Sequence, residues 1–160
     1  MQIILAADHG GFKNKEIIND WLIEQGFETV DAGAFMFDNK DDFPDFVSTA
    51  ITLAQADEDQ DAKIILWCRS GVGVNIAANR FPQIYCGFGL CPEQVAAATR
   101  DDHLNALAFA SDYVPIEEQK AMIEVFLHTN YSQAARFARR LNKIETYSAQ
   151  AQADQFLRKT

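Results

Sequence analysis

The amino-acid sequence predicts an α/β fold: an open, doubly wound, Rossmann-like sheet of about five parallel strands flanked by helices, in a single domain. Three observations predict it. Short unbroken apolar runs such as Ile64-Ile65-Leu66-Trp67 recur along the chain, as in strands buried on both faces of a parallel sheet. Stretches with apolar residues at helical spacing separate those runs. Twice, an apolar run stops in a glycine turn that opens a helix, at Asp8-His9-Gly10-Gly11 and at Cys68-Arg69-Ser70-Gly71-Val72-Gly73, which is the first half of a βαβ unit.

In chain order, Gln2 to Ala7 reads as the first strand. The helix after it carries Phe12, Ile17, Ile18, Trp21 and Leu22 on one face, and Gly26 closes it. Phe27 to Val30 is the second strand, ended by Asp31-Ala32-Gly33. Phe35 to Asp42 lacks periodicity and reads as a loop. Asp42-Phe43-Pro44 starts the next helix, with Asp42 as its cap and Val47, Ile51, Leu53 and Ala54 as its packing residues. Asp57 to Asp61 is an acidic, solvated turn.

The third strand, Ile64 to Trp67, leads into a helix containing Val74, Ile76, Ala77 and Ala78. Ile84 to Leu90 is the fourth strand, Pro92 to Arg100 an alanine-rich helix, and Leu107 to Ser111 the fifth strand. An amphipathic helix from Ile116 to Leu127 turns Ile116, Met122, Ile123, Phe126 and Leu127 inward. A second, Tyr131 to Ile144, completes a domain at residues 1–147. Residues 148–160 form a mostly polar tail that either docks on a neighbour as a helix or frays.

A chain of 160 residues is long enough to bury about 70% of the surface its unfolded form exposes. No apolar run approaches the roughly 20 residues that a membrane span takes, and no basic-then-apolar leader precedes the first strand, so the expected compartment is the cytoplasm, with no membrane partner. The net charge of −9 argues against nucleic acid, which needs a basic face. It permits a small anionic substrate in a locally basic pocket. Cys68, Cys86 and Cys91 show neither CxxC nor Cys/His metal spacing, so reduced thiols and no metal site are expected. A bound dinucleotide is not expected either, because Gly71 and Gly73 are followed by Ile76 where that motif places its third glycine.

The chemistry concentrates after the first and third strands. The turn at Gly71 to Val74 aims backbone N–H groups at one spot above the sheet, where an anion or a developing oxyanion belongs. A thiol at Cys68 can there move a proton on and off carbon, and Ser70 can donate to a substrate oxygen. Asp8 reads either as a helix cap or as an acceptor for a sugar hydroxyl; His9 reads as an exposed histidine, a phosphate contact or a proton carrier. Arg136 and Arg140 are spaced i and i+4, with Arg139 beside them, so two guanidinium groups one turn apart suit a phosphate. Asp101, Asp102 and His103 follow a helix and read as loop residues able to reach the ligand edge of the sheet; as consecutive residues they are poorly placed to converge on a metal.

The opening A-D-H-G-G-F, then D-A-G and D-F-P, then C-R-S-G-V-G-V-N-I-A-A-N-R and the closing Y-S-Q-A-A-R-F-A-R-R-L resemble, in order and spacing, the type B ribose-5-phosphate isomerases and the galactose-6-phosphate isomerase subunits, from Met1 to about Ile144. That resemblance implies interconversion of aldose and ketose phosphates without metal or cofactor, through a cis-enediolate, in homodimers or homotetramers whose active sites take residues from two subunits. It implies Cys68 as the base, Ser70 beside the forming oxyanion, Gly71, Val72, Gly73, Val74 and Asn75 as backbone donors, Asp8 on the sugar, His9 on the phosphate end, and Arg136 and Arg140 on the phosphate from the other chain.

The chain departs from the family pattern in three places, at Arg69, at Asp101-Asp102 and at Asp112. Arg69 replaces the first glycine of C-G-T-G and puts a cation in the thiol's turn. Asp101-Asp102 stand where the ribose-5-phosphate isomerases have a ring-opening His-Asn, with Asp101 as the possible acid or base and Asp102 on the substrate, or with His103 swinging in. Asp112 stands where they carry a further arginine. Two readings follow: a self-sufficient isomerase of ribose 5-phosphate, galactose 6-phosphate or a related sugar, or one subunit of a mixed assembly or an inactive sugar-phosphate-binding homologue.

Overall fold

The strands β1 (Ile3–Ala7), β2 (Thr29–Asp31), β3 (Lys63–Cys68), β4 (Cys86–Phe88) and β5 (Ala106–Ala110) form one all-parallel sheet in the order β2-β1-β3-β5-β4. This computed structural model describes residues 1–57 and 61–157. The part of the predicted acidic turn at Glu58, Asp59 and Gln60, and the last three residues of the tail, lie outside the described residues. Helices α1 (Phe12–Glu24), α2 (Phe43–Gln55), α3 (Val72–Ala78), α4 (Pro92–Asp102) and α5 (Ile116–His128) follow the strands in turn, and α6 (Ala135–Leu157) closes the chain.

Alternation along each strand divides the core into two layers, since successive side chains point to opposite faces. Ile4, Ala6, Ile64, Leu66 and Cys68 pack with Val47 and Ile51 of α2 and Val74 of α3. Ile3, Leu5, Ile65, Trp67 and Phe109 pack with Ile18 and Leu22 of α1, Val95 of α4, and Met122, Ile123 and Phe126 of α5. Both faces are covered, which is why the strands read as unbroken apolar runs.

The differences from expectation are local. In α1 the buried residues are Lys15, Ile18 and Leu22, while Ile17 is exposed. One residue is about 100° of helix rotation, so the true inward stripe passes through a lysine that hydropathy alone assigns to solvent. Lys15 is fully buried, with its ammonium on Asp31 and 3.3 Å from Glu16. Asp42 occupies the N-cap of α2 but its side chain makes no capping hydrogen bond. Leu53 and Ile76 are exposed. The fourth strand contracts to three residues, and the last helix begins at Ala135 rather than Tyr131, because Tyr131 instead stacks on His103 with ring centroids 4.4 Å apart. That helix runs on through residue 147 to Leu157.

Candidate active site at the carboxyl edge

From β1 the chain moves outward to β2 and then returns to lay β3 on the other side of β1. The loops leaving β1 and β3 therefore diverge at the ends of adjacent strands, the place where doubly wound sheets bind ligands, whereas the cavity lined by Lys63, Tyr85, His103 and Asn105 lies at the opposite, amino edge. Asp8 and Cys68 stand at that place by register, since Ala7 pairs with Trp67.

Asp8 is buried, and its Oδ1 accepts the N–H groups of Gly10 at 2.9 Å and Gly11 at 3.2 Å. Burial raises its pKa above the usual carboxylate value, against the opposing pull of those two N–H groups. His9 is held by a residue that the sequence pattern left inside an unstructured loop: Asp41 Oδ1 accepts the His9 backbone N–H at 3.0 Å and lies 2.6 Å from its Nδ1. Phe37 meets the imidazole edge-on, with centroids 6.2 Å apart.

Cys68 ends β3 and is 5% exposed, its side chain on the α2 and α3 face of the sheet. Its carbonyl accepts the Ser111 N–H at 3.0 Å, and the Ser111 hydroxyl is buried without a partner among the described residues. Ser70 is exposed at the turn. Gly71 has φ +71°, and a Cβ there would lie 2.7 Å from the Phe109 carbonyl carbon and 2.8 Å from the Ala110 nitrogen, so only glycine lets this turn lie against β5. Val72 is exposed, Gly73 rests on the Phe43 ring, and Val74 is core.

Asn75 departs from expectation. Its N–H bonds to the Gly71 carbonyl at 3.2 Å and its side-chain amide to the Cys86 carbonyl at 3.0 Å, so the available backbone donors stop before it. Arg69 is 69% exposed and turns its guanidinium to Asp112 Oδ2 at 3.4 Å, a solvent-screened pair along the rim.

The second group of expected residues lies at the other end of the sheet. A crossover helix in a parallel sheet runs opposite to the strands, so α4 carries Asp101 and Asp102 back to the amino edge, just before β5 begins. The expectation that Asp101 to His103 reach the ligand edge within one chain is thus corrected by helix direction. Asp101 there forms a two-pronged pair with Arg100, Nε to Oδ1 at 2.8 Å and a terminal nitrogen to Oδ2 at 3.1 Å. Those bonds lower its pKa, with smaller contributions from Arg136 and Arg140. Both of these arginines are exposed and lean on the Phe137 ring, 4.5 and 5.7 Å from its centroid, which presents them together. Asp102 is exposed, and burial lowers the pKa of His103.

Fold and site together define the class: a doubly wound α/β protein with a thiol, a carboxylate and an oriented imidazole at the switch point of its sheet. Residues 3–144 match the family model Ribose/Galactose Isomerase. The chain is 32% identical to a probable ribose-5-phosphate isomerase B of Mycoplasma genitalium, over 94% of this chain and 97% of that protein. It is 34% identical to the ribose-5-phosphate isomerase B of Escherichia coli, over 81% and 85%. The crystal structure of the Mycoplasma genitalium enzyme with bound ribulose-5-phosphate superposes with a TM-score of 0.85, at 32% identity and 92% and 96% coverage. The chain belongs to the ribose/galactose isomerase family and, with it, to the aldose–ketose isomerases.

Proposed function

We propose that this aldose–ketose isomerase acts on a sugar phosphate, ribose 5-phosphate, galactose 6-phosphate or a related sugar, without a metal and through an enediolate for which Cys68 is the base. The observation that carries this reading is the register that sets Cys68 beside Asp8 at the switch point of the sheet. Cys68 moves the proton between C1 and C2. Ser70 and the N–H groups from Gly71 to Val74 hold the enediolate oxygen, each such donor being worth about 3 to 4 kcal/mol of transition-state stabilisation. Asp8 and His9 bind the sugar phosphate.

Arg136, Arg140 and Asp102 stand at the opposite edge, so in this proposal they serve the site of a second copy of the chain, in a cytoplasmic homodimer or homotetramer. The exposed run Phe35-Met36-Phe37 beside His9 supports a surface covered by another subunit. A second reading, a subunit that needs a different partner chain, is favoured by one observation: Asp101 is already engaged by its own Arg100.

A panel of pentose and hexose phosphates, assayed with the purified homo-oligomer, tests both. Turnover without another chain removes the second reading. Loss of all exchange of the substrate C2 proton with solvent in Cys68→Ala is expected; undiminished exchange would take Cys68 out of the role.

A further inference from the structure

An aldose phosphate of five carbons exists almost wholly as a cyclic hemiacetal, whose C2 proton no side chain can remove. The ring must first open to the free aldehyde. Opening requires a group that takes the proton of the anomeric hydroxyl and returns one to the ring oxygen.

The chain has three histidines. His103 and His128 stand at the ends of α4 and α5, on the amino edge. Within one chain His9 alone shares the carboxyl edge with Asp8 and Cys68; of the amino-edge residues that a second copy would bring, the His103 ring is held in a stack on Tyr131 with centroids 4.4 Å apart, and Asp101, bound to Arg100 with a lowered pKa, is a poor source of protons.

The surroundings of His9 are those of an acid–base imidazole. Asp41 Oδ1 takes both the backbone N–H and Nδ1 of His9, so Nδ1 carries the proton and Nε2 is the open nitrogen. The Asp41 side chain is 9% exposed, and its Oδ2 is buried with no hydrogen-bond partner among the described residues. A buried carboxylate oxygen without a partner is costly, and a positive charge arriving on the adjacent ring offsets that cost.

We propose that His9, positioned by Asp41, opens the ring of a cyclic pentose phosphate. Nε2 takes the anomeric hydroxyl proton, and the O–H electron pair becomes the C=O bond of the aldehyde. The bond from C1 to the ring oxygen breaks toward that oxygen, which receives the proton from Nε2. The imidazole ends neutral and no proton is consumed. Asp41 acts through His9 as a positioning residue, holding the tautomer and facing the transient imidazolium. This step rests on the isomerase reading above.

A five-carbon ketose phosphorylated at O5 cannot close a furanose ring, so ribulose 5-phosphate meets Cys68 already open, whereas ribose 5-phosphate does not. The test compares turnover of ribose 5-phosphate with exchange of the C1 proton of ribulose 5-phosphate in deuterated water, for the full chain and for Asp41→Asn and His9→Gln. The ratio of turnover to exchange is expected to fall about tenfold or more in each variant, the size of a lost acid–base group. An unchanged ratio in either variant with a wild-type circular dichroism spectrum, whether both activities fall together or neither does, overturns the proposal. Either folded variant suffices for the decision. A wild-type chain inert toward both probes overturns the pentose proposal, while the wider panel still decides the isomerase reading.

Discussion

The two edges of the sheet hold their carboxylates in opposite ways. At the carboxyl edge, Asp8 and Asp41 are sequestered, Asp41 Oδ2 and the Ser111 hydroxyl lack partners among the described residues, and Cys68 is nearly covered. At the amino edge, Asp101 and Arg100 satisfy each other, Tyr85 donates to Glu145 at 2.9 Å, and Arg136 and Arg140 stand in solvent, while the Tyr131 hydroxyl against His103 is buried with no partner among the described residues. Burial and that bond push the Tyr85 phenol up to about 12, a group that stays neutral and structural. Unsatisfied buried groups cost stability and persist where a ligand completes them, whereas satisfied exposed ones are available to reach another molecule. On the proposed reading, one edge holds a site that lacks its phosphate clamp, and the other holds the clamp for a second copy's site.

Mixing experiments test that division most severely. Cys68→Ala should cost roughly a thousandfold or more in turnover, at the upper range of a lost acid–base group. An Arg136→Ala/Arg140→Ala double variant should be comparably weak on its own. Co-expressing the two should restore activity, because some assembled sites then receive both an intact thiol and an intact clamp. Two inactive parents that stay inactive together would mean that the edges do not meet between copies.

The next effect is on stability at the carboxyl edge. Gly71→Val forces a β-branched residue to positive φ with its Cβ against β5, at a cost of about 3 kcal/mol or more. A thermal melt should register this as a fall of about 10 °C in Tm. Asp31→Asn leaves the Lys15 ammonium buried without its main counter-charge and should cost about 2–3 kcal/mol in denaturant titration.

Asp8→Asn sharpens the comparison with the smallest effect. The folded pKa of Asp8 lies above its unfolded value of 3.8, so its favourable contribution is complete below that value and is lost as pH rises through the folded pKa. At neutral pH the ionised carboxylate therefore opposes folding. An asparagine keeps an oxygen for the Gly10 and Gly11 N–H groups and should raise Tm by about 1–3 °C at pH 7 while lowering activity. The Tm difference should shrink as pH falls through the folded pKa. A Tm gain that grows in acid would reverse the sign and remove burial as its cause.

Legibility in the sequence followed the range of the forces involved. Asp8, Cys68, Ser70 and Gly71 were visible because an apolar run and the turn that ends it are contiguous. Arg136 and Arg140 were visible as a pair because helix spacing is local, whereas the Phe137 ring on which both lean is a contact that only the folded chain shows. Asp41 was not distinguishable from Asp38 or Asp42, since its contact with His9 spans 32 residues. Lys15 was missed because its burial depends on Asp31 at the end of another strand.

The sequence alone determined a parallel α/β sheet and the identity of the residues that leave its first and third strands, because hydrophobic periodicity and glycine turns act over a few neighbouring positions. Tertiary structure decided which end of the sheet each charged group occupies and that Asp41 reaches His9. Those outcomes depend on the direction of crossover helices and the order of strands, and polar pairs between distant loops form only after the sheet has brought the loops together.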